Sequence, residues 1–425
     1  MSEMSYLEKL LDGVEVEWKT LGEVAKYVRG LIYSKSSESA DGQGYKVLRA
    51  NNITLSNNCL NLNDVKVVRF DTKVKSSQKL YKNDILISAA SGSREHVGKV
   101  AYIESDIDYY FGGFMGVVRC DEKLNPRYLF HVLTSDIFQK YLDEMLNSST
   151  INNLNSAVMG RFKIPIPCPD NPEKSLAIQS EIVRILDKFT ALTAELTAEL
   201  NMRKKQYNYY RDQLLSFDTE DVPHLPMGQK DIGEFIRGGT FQKKDFIDAG
   251  VGCIHYGQIY TYYGTYTEKT KTYISTALAK KCKKAQKGDL IIATTSENDE
   301  DVCKAVAWLG SEDIAVSSDA CIYKHNLNPK YVSYFFQTEQ FQNQKKQYIT
   351  GAKVRRVNAD NLSKILIPVP SMEIQERIVS ILDKFDTLTN SITEGLPREI
   401  ELRQKQYEYY RDLLFSFPKP DTVSN

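Results

Sequence analysis

Residues 178–189 read Ile-Gln-Ser-Glu-Ile-Val-Arg-Ile-Leu-Asp-Lys-Phe, and residues 374–385 read Ile-Gln-Glu-Arg-Ile-Val-Ser-Ile-Leu-Asp-Lys-Phe. A matching block ends each copy: Gln206-Tyr-Asn-Tyr-Tyr-Arg-Asp212 with Ser216-Phe217, and Gln406-Tyr-Glu-Tyr-Tyr-Arg-Asp412 with Ser416-Phe417. A repeat this long divides the chain into two near-equivalent halves and sets its organisation. Ile178, Ile182, Ile185, Phe189, Leu192 and Leu196 fall at heptad spacing, and Ile374, Ile378, Ile381, Phe385, Leu388 and Ile392 repeat the pattern. Such a seam predicts a helix that buries one stripe against a partner. About 40 residues of helix make a rod of roughly 60 Å. The other copy is the evident partner, and antiparallel pairing suits a chain that must return across a whole domain between them.

The copies differ in one place. The stretch from Phe385 to Gln406 is four residues longer than that from Phe189 to Gln206, and it contains Gly395 and Pro397. The first copy instead carries a tandem, Thr193-Ala-Glu-Leu196 and Thr197-Ala-Glu-Leu200. Four residues is about one helical turn, which keeps the seam nearly in phase. Proline inside a helix removes a hydrogen bond and kinks it. A bend or break is expected near Gly395–Pro397 in the second copy alone.

The segments before each rod also correspond. Gly22-Glu23 and Val28-Arg29-Gly30 match Gly233-Glu234 and Ile236-Arg237-Gly238. Lys82-Asn-Asp-Ile-Leu-Ile-Ser88 matches Lys287-Gly-Asp-Leu-Ile-Ile-Ala293, a turn leading into an apolar strand. Asn125-Pro-Arg-Tyr128 matches Asn328-Pro-Lys-Tyr331, and Ile164-Pro-Ile-Pro167 matches Ile367-Pro-Val-Pro370. The expected fold is two α/β (α+β) globular units with two long antiparallel coiled-coil helices and an internal pseudo-two-fold repeat. Residues 1–170 and 219–370 are the globular domains, and 171–218 and 371–425 are the helical spacers. Between the shared elements the loops diverge, as in a common scaffold with two different binding sites.

Several classes are excluded. The chain has 425 residues, with 55 Lys plus Arg against 55 Asp plus Glu, so any basic surface must be local. Seven scattered cysteines include no CxxC pair, which argues against disulfides and structural zinc. No apolar run suffices to span a bilayer and the N-terminus lacks a signal-peptide pattern, so a cytoplasmic protein without membrane contact is expected. There is no phosphate-binding glycine loop, zinc-protease helix or serine-nucleophile elbow. Asn125-Pro and Asn328-Pro suit helix caps better than a catalytic motif. Phe111-Gly-Gly-Phe-Met-Gly116 reads as a tight turn, because its counterpart Ala315-Val-Ser-Ser-Asp-Ala320 has no glycine. No catalytic, cofactor-binding or metal-binding residue is assigned. Residues 340–359 lack acids but hold Lys345, Lys346, Lys353, Arg355 and Arg356, and the corresponding first-half stretch 146–169 is equally free of acids. Cations neutralise phosphates, and Asn, Gln, Ser and Thr read base edges.

At these residues the chain resembles a known family. The blocks 178–217 and 374–417, each introduced by an Ile-Pro-x-Pro strand, resemble the shared regions of type I restriction–modification specificity (S) subunits. The Thr-Ala-Glu-Leu tandem and the opening Glu15-Val-Glu-Trp18-Lys-Thr-Leu-Gly-Glu23 are similar to the IC subfamily. The resemblance implies target-recognition domains, each for half of a bipartite site in double-stranded DNA. It implies that the helices set the half-site separation and dock two methyltransferase (modification) subunits, with motor–nuclease (restriction) subunits joining in the full complex. The S-adenosylmethionine, ATP and magnesium would belong to those partners, leaving a non-catalytic chain with no cofactor of its own. A specificity chain of a fused nuclease–methyltransferase system and a coiled-coil scaffold without a DNA role are the alternatives. By loop placement and polarity, Asn51, Asn52, Ser91, Arg94, Thr150 and Asn152 are the expected DNA contacts of the first domain. Those of the second are Tyr256, Gln258, Thr295, Asn298, Thr350, Lys353, Arg355 and Arg356.

The resemblance also implies that the number of Thr-Ala-Glu-Leu units tunes the gap between half-sites. Each Thr-Ala-Glu-Leu unit adds about 6 Å of helix, comparable with a base pair or two. Deleting Thr197–Leu200 is expected to shift the preferred gap between half-sites to a shorter one, read as methylation across a series of spacer lengths.

Overall fold

A computed structural model describes residues 6–54, 57–92, 94–147 and 153–417. The first half opens with α1 (Tyr6–Leu11), β1 (Val16–Thr20), α2 (Leu21–Val24), β2 (Ala25–Arg29), β3 (Tyr45–Leu48) and β4 (Lys66–Val68). It continues with β5 (Ile85–Ser88), β6 (Val100–Tyr102), β7 (Tyr110–Phe111), β8 (Met115–Cys120), α3 (Pro126–Leu133), α4 (Asp136–Asn147), α5 (Ser156–Arg161) and β9 (Lys163–Pro167). Helix α6 (Pro172–Leu214) follows as one uninterrupted element of 43 residues. The second half begins with β10 (His224–Pro226), β11 (Gly233–Arg237), β12 (Val251–Ile254), α7 (Tyr256–Thr261), β13 (Tyr266–Thr267), β14 (Thr272–Ile274), α8 (Thr276–Ala279) and β15 (Lys284–Ala285). Then come β16 (Leu290–Ala293), β17 (Thr295–Ser296), β18 (Ala305–Trp308), β19 (Ile314–Val316), β20 (Ala320–His325), α9 (Pro329–Phe335) and α10 (Glu339–Lys346). The chain closes with β21 (Arg355–Arg356), α11 (Ala359–Leu362), β22 (Leu366–Pro368), α12 (Met372–Asn390) and α13 (Gly395–Leu414).

These elements form two compact units, residues 1–194 with 401–425, and residues 195–400. The first unit holds a four-stranded antiparallel sheet ordered β2-β8-β5-β6 and a three-stranded sheet β4-β3-β7. The second repeats both with one strand added to each: β11-β20-β16-β18-β13 and β14-β12-β19-β15. The strand before each rod pairs antiparallel with the strand that opens its domain, β1 with β9 and β10 with β22. The central strands explain their unbroken apolar runs. In β5, Ile85 and Ile87 enter one core while Leu86 enters another; in β16, Leu290 and Ile292 oppose Ile291. A strand covered on both faces has no polar alternation to show.

Inside each unit the repeated residues have the same job. The side chain of Gln179 is fully buried and accepts from the Asn125 N–H (2.8 Å), and Gln375 does the same for Asn328 (2.9 Å). Asn125 and Asn328 in turn cap α3 and α9 through their side-chain oxygens, with Pro in the first helical turn, as the capping reading required. Asp187 meets Arg127 (3.0 Å) and His131 (2.8 Å); Asp383 meets Lys330 (2.7 Å) and the Tyr334 hydroxyl (2.7 Å). Burial pulls the His131 imidazole below its ordinary range. The neutral ring then donates from Nε2 to Asp187 and accepts at Nδ1 from the Tyr407 hydroxyl at 2.9 Å.

Tyr407 belongs to the end of the second copy, so the first unit is closed by the tail of the other repeat. Along α3 the pairing runs from Asn125 with Gln179 to His131 with Asp187, while Tyr128 meets Phe415 and His131 meets Tyr407. Head and tail therefore pass in opposite directions, and Phe189 stacks on Tyr410 at 5.2 Å. The second unit has the same arrangement with the tail of the first copy. Tyr207 reaches Gln337, Asp212 accepts from the Glu339 N–H (3.0 Å) as Asp412 does from Asp136, and Tyr207 and Tyr210 stack on Phe385.

The heptad seam is correct in kind and displaced in detail. The fully buried stripe is Ile178, Ile182 and Leu186, facing the globular core, whereas Ile185 and Phe189 are half-buried against the tail. Each head thus serves two neighbours and needs two adjoining stripes, which a one-partner coiled coil would not. Ile392 is 80% exposed, because α12 has already ended at Asn390. The break lies at residues 391–394, immediately before Gly395 and Pro397, and α6 has no counterpart to it. Gly395 adopts φ +79°, and a Cβ there would sit 2.4 Å from the Thr387 carbonyl oxygen. Only glycine fits that approach. Pro397 lies in the first turn of α13, where its missing N–H costs nothing.

Gln375→Leu tests the head. It strands the buried Asn328 N–H, and the expected loss is about 1–3 kcal/mol of unfolding free energy in denaturant titration. Gln404→Leu should change little, since this half-exposed amide meets only the Glu408 carboxylate at the surface.

Candidate nucleic-acid interface

Each unit carries a cleft built by the same backbone bonds at one end of its four- or five-stranded sheet. In the first, Gly30 N–H donates to Met115 O (3.1 Å), Leu31 N–H to Phe111 O (2.7 Å), Met115 N–H to Gly112 O (2.8 Å) and Ala89 N–H to Phe114 O (2.9 Å). In the second, Gly238 donates to Ala320 (3.1 Å), Gly239 to Val316 (2.7 Å), Ala320 to Ser317 (3.0 Å) and Thr294 to Asp319 (2.9 Å). Gly30 and Gly238 are required, since a Cβ at either would meet a carbonyl oxygen at 2.0 or 2.1 Å. The arginine before each, Arg29 or Arg237, lines the cleft.

The first cleft encloses about 880 Å³ and is lined by Arg29, Ile32, Lys35, Arg49, Asn51, Ser91, His96, Phe114 and Asn153 among others. Arg49 is held by Asp64 at 2.9 Å, which also accepts from the Asn51 amide at 3.0 Å. The second cleft, about 310 Å³, is lined by Arg237, Thr295, Asp319, Thr350, Arg356 and Asn358. Its wall is a two-stranded ladder in which Thr295 faces Arg356, and Arg356 exchanges both backbone bonds with Thr350.

The expected contacts divide accordingly. Asn51, Ser91, Thr295, Thr350 and Arg356 gather at the clefts. Thr150 and Asn152 lie outside the described residues. Asn52 is corrected to a structural residue: it is 1% exposed, its oxygen accepts from Arg49 N–H (2.8 Å), and its amide donates to Asn61 O and Asp64 O. Gln258 is likewise buried; it caps α7 through the His255 N–H (3.0 Å) and donates to Thr272 (3.0 Å). Arg94 lines a different hollow with Ser135 and Gln139, and meets Asp143 at 3.4 Å. Tyr256 is half-buried against His255, ring to ring at 4.6 Å, with its N–H on the Ser317 hydroxyl. Burial, and then the Lys243 charge, pull the His255 ring below its usual range.

The loop over 297–303 sits beside this wall. Asn298 closes it by exchanging bonds with Asp301 (2.7 and 2.8 Å), and Asp299 pairs with Arg355 at 2.7 Å. Lys345 is 1% exposed and donates to the carbonyls of Glu300 (3.0 Å) and Val302 (2.8 Å). Burial lowers its affinity for a proton. It therefore clamps the loop from within and does not belong to the basic surface. Lys353 and Arg356 are exposed, and among the described residues neither makes an ion pair. Lys66, Arg69 and Lys79 of the first unit are ion-paired with Glu38, Asp71 and Asp108.

Sequence reasoning missed Arg29 and Arg237, Ile32, Lys35, Phe114 and Asp319. The Arg-Gly pair was visible as a repeat, but nothing in its spacing marked the arginine as facing a cleft. Among the described residues no group of three or more His, Cys, Asp or Glu could hold a metal ion, and no helix is long and apolar enough to cross a membrane.

The family described as "Type I restriction modification DNA specificity domain" matches residues 13–203 and again 226–402. The chain is 41% identical over 429 residues to the EcoR124I/EcoR124II type I restriction enzyme specificity subunit of Escherichia coli, covering all of both chains. It is 34% identical to a putative type I restriction enzyme specificity subunit of Haemophilus influenzae, over 97% of this chain and 98% of that one. A solved structure of a type I restriction–modification system shares the fold with a TM-score of 0.61 at 13% identity, over 94% of this chain and 97% of that one. With two copies of the domain, and relatives matched along their whole length, this chain belongs to the family of type I restriction–modification DNA specificity subunits.

Proposed function

We propose that this chain is the DNA-reading, non-catalytic component of a cytoplasmic type I restriction–modification complex. Each unit reads one half of a bipartite site in double-stranded DNA through its cleft and the loops around it. The observation that carries this reading is the pair of clefts: one set of backbone bonds builds both, yet the linings differ, Ile32 and Phe114 in one against Asp319 and Thr350 in the other. A common frame with unlike linings suits two different base sequences, because side chains at base edges carry the information and the frame carries none. Lys353 and Arg356 supply unneutralised positive charge for phosphates.

The chemistry belongs to partners. Methyltransferase subunits would bring S-adenosylmethionine, and motor–nuclease subunits ATP and magnesium. The tails offer a docking surface for the former. Tyr209 is 61% and Tyr409 65% exposed, each beside a half-exposed tyrosine in an edge-on ring pair, Tyr210 and Tyr410. Exposed aromatic pairs on a rigid helix are the anchors that protein interfaces use.

Arg356→Ala in the assembled complex is expected to weaken DNA binding. If the guanidinium meets a phosphate, the dependence of log affinity on log salt should flatten by about 0.9. Equilibrium binding between low and moderate salt reads this, and unchanged affinity and slope would remove Arg356 from the interface. Tyr409→Ala and Tyr209→Ala are each expected to weaken association with the methyltransferase subunit by about 1–2 kcal/mol, leaving unfolding of the free chain unaltered. Calorimetric titration of the two proteins measures it.

A further inference from the structure

The tight turn that leads into β8 and β20 has the same backbone in both clefts and carries side chains of opposite chemistry at one position. Phe114 and Asp319 are equivalent by hydrogen bonding. Each carbonyl accepts from the residue that follows the central strand, Ala89 or Thr294, at 2.9 Å. Ala90 adds a second bond to the Phe114 carbonyl at 3.0 Å. The turn is clamped from the other side by Gly30 or Gly238, whose missing Cβ lets the chains touch. What this rigid turn presents differs completely. Phe114 is 75% exposed and lies beside Ile32, 83% exposed, above Arg29 and Lys35. Asp319 is half-exposed in the second cleft beside Arg237 and Arg356, and among the described residues its carboxylate has no hydrogen-bond partner.

Two large apolar side chains held in water, one of them on a fixed turn, need an occupant. The surrounding arginine and lysine favour a polyanion, and the apolar group that duplex DNA offers at a base edge is the thymine methyl. A carboxylate in the equivalent place only accepts, so it selects an exocyclic amino group, which cytosine and adenine present.

We propose that this turn is the specificity-determining position of each unit. Phe114, backed by Ile32, reads the 5-methyl group of a thymine in one half-site. Asp319 reads the amino group of a cytosine or adenine in the other. The proposal rests on the clefts being the DNA-reading surfaces, and it assigns the base class that one position of each selects.

The test uses the assembled methylation complex once its target sequence has been mapped. Each thymine of the target is replaced in turn by uracil, which removes only the methyl group. One replacement is expected to lower methylation by the wild-type complex about fourfold, the worth of one apolar carbon withdrawn from water. Phe114→Ala should methylate the standard site more weakly and be indifferent to that same replacement. Asp319→Asn should relax the preference at one base pair by about tenfold, admitting bases that present an acceptor. The two effects must fall in different half-sites. Both side chains are at the surface, and methylation at all remaining positions with unaltered preference shows that the variants fold. If the wild-type complex ignores every methyl removal, or if both variants keep the wild-type preference at every position, the inference is overturned while the DNA-reading role stands. If methylation by the wild-type complex does not depend on sequence, the role itself falls and takes the inference with it.

Discussion

Each recognition domain has an apolar helical face that its own polypeptide segment cannot close. In the first unit α3 lies in that face, and it is covered jointly by the head of α6 and by the tail of α13. Ile182 and Leu186 are fully buried there with Tyr128 and Phe415. Removing any one such side chain from water is worth about 1.5–3 kcal/mol, so the shared core depends on both helices being present. The second unit is completed in the same way by residues of α6 beyond Glu195 and by α12. Because the covering helix comes from the other repeat, the first unit joins residues 1–194 to 401–425, while the second runs unbroken from 195 to 400 and takes in the tail of the first copy.

Polar contacts fix the register of that cover. A buried glutamine holds the capping asparagine, an aspartate about two turns further on takes a cation and a ring, and a tail tyrosine reaches the same helix. Buried polar groups leave little latitude, since each unmet bond costs a large part of a small protein's stability. The two units solve the aspartate differently, with His131 in one and Tyr334 in the other. The requirement is a donor of the right reach, and the neutral imidazole and the phenol both meet it.

On this scaffold the clefts sit away from the helical cover, at the end of the sheet where β8 and β20 begin. Their frames are set by backbone hydrogen bonds and by Gly30 and Gly238, which constrain no side chain outside them. The linings are therefore free to diverge while the fold is kept. This separation of frame and lining explains why the repeats are plain in the helices and faint in the domains.

The helical repeat, its break before Gly395, the capping role of Asn125 and Asn328, and the apolar central strands were all legible in the sequence. Each is written in local periodicity, in proline and glycine, or in a spacing of three or four residues, which short-range sterics and hydrogen bonding decide. The site was legible only in part. Asn52, Gln258 and Lys345 look like surface polar residues, yet they are buried because groups from other segments satisfy them, backbone carbonyls for Asn52 and Lys345 and the Thr272 hydroxyl for Gln258. Arg29, Phe114 and Asp319 carry no local mark, since their exposure depends on which loops meet at the sheet end. Sequence by itself determined the two-fold plan, the helices and the family. Tertiary structure alone decided which half of each helix closes which domain and which side chains face the clefts, because both rest on contacts between residues far apart in the chain that no local pattern encodes.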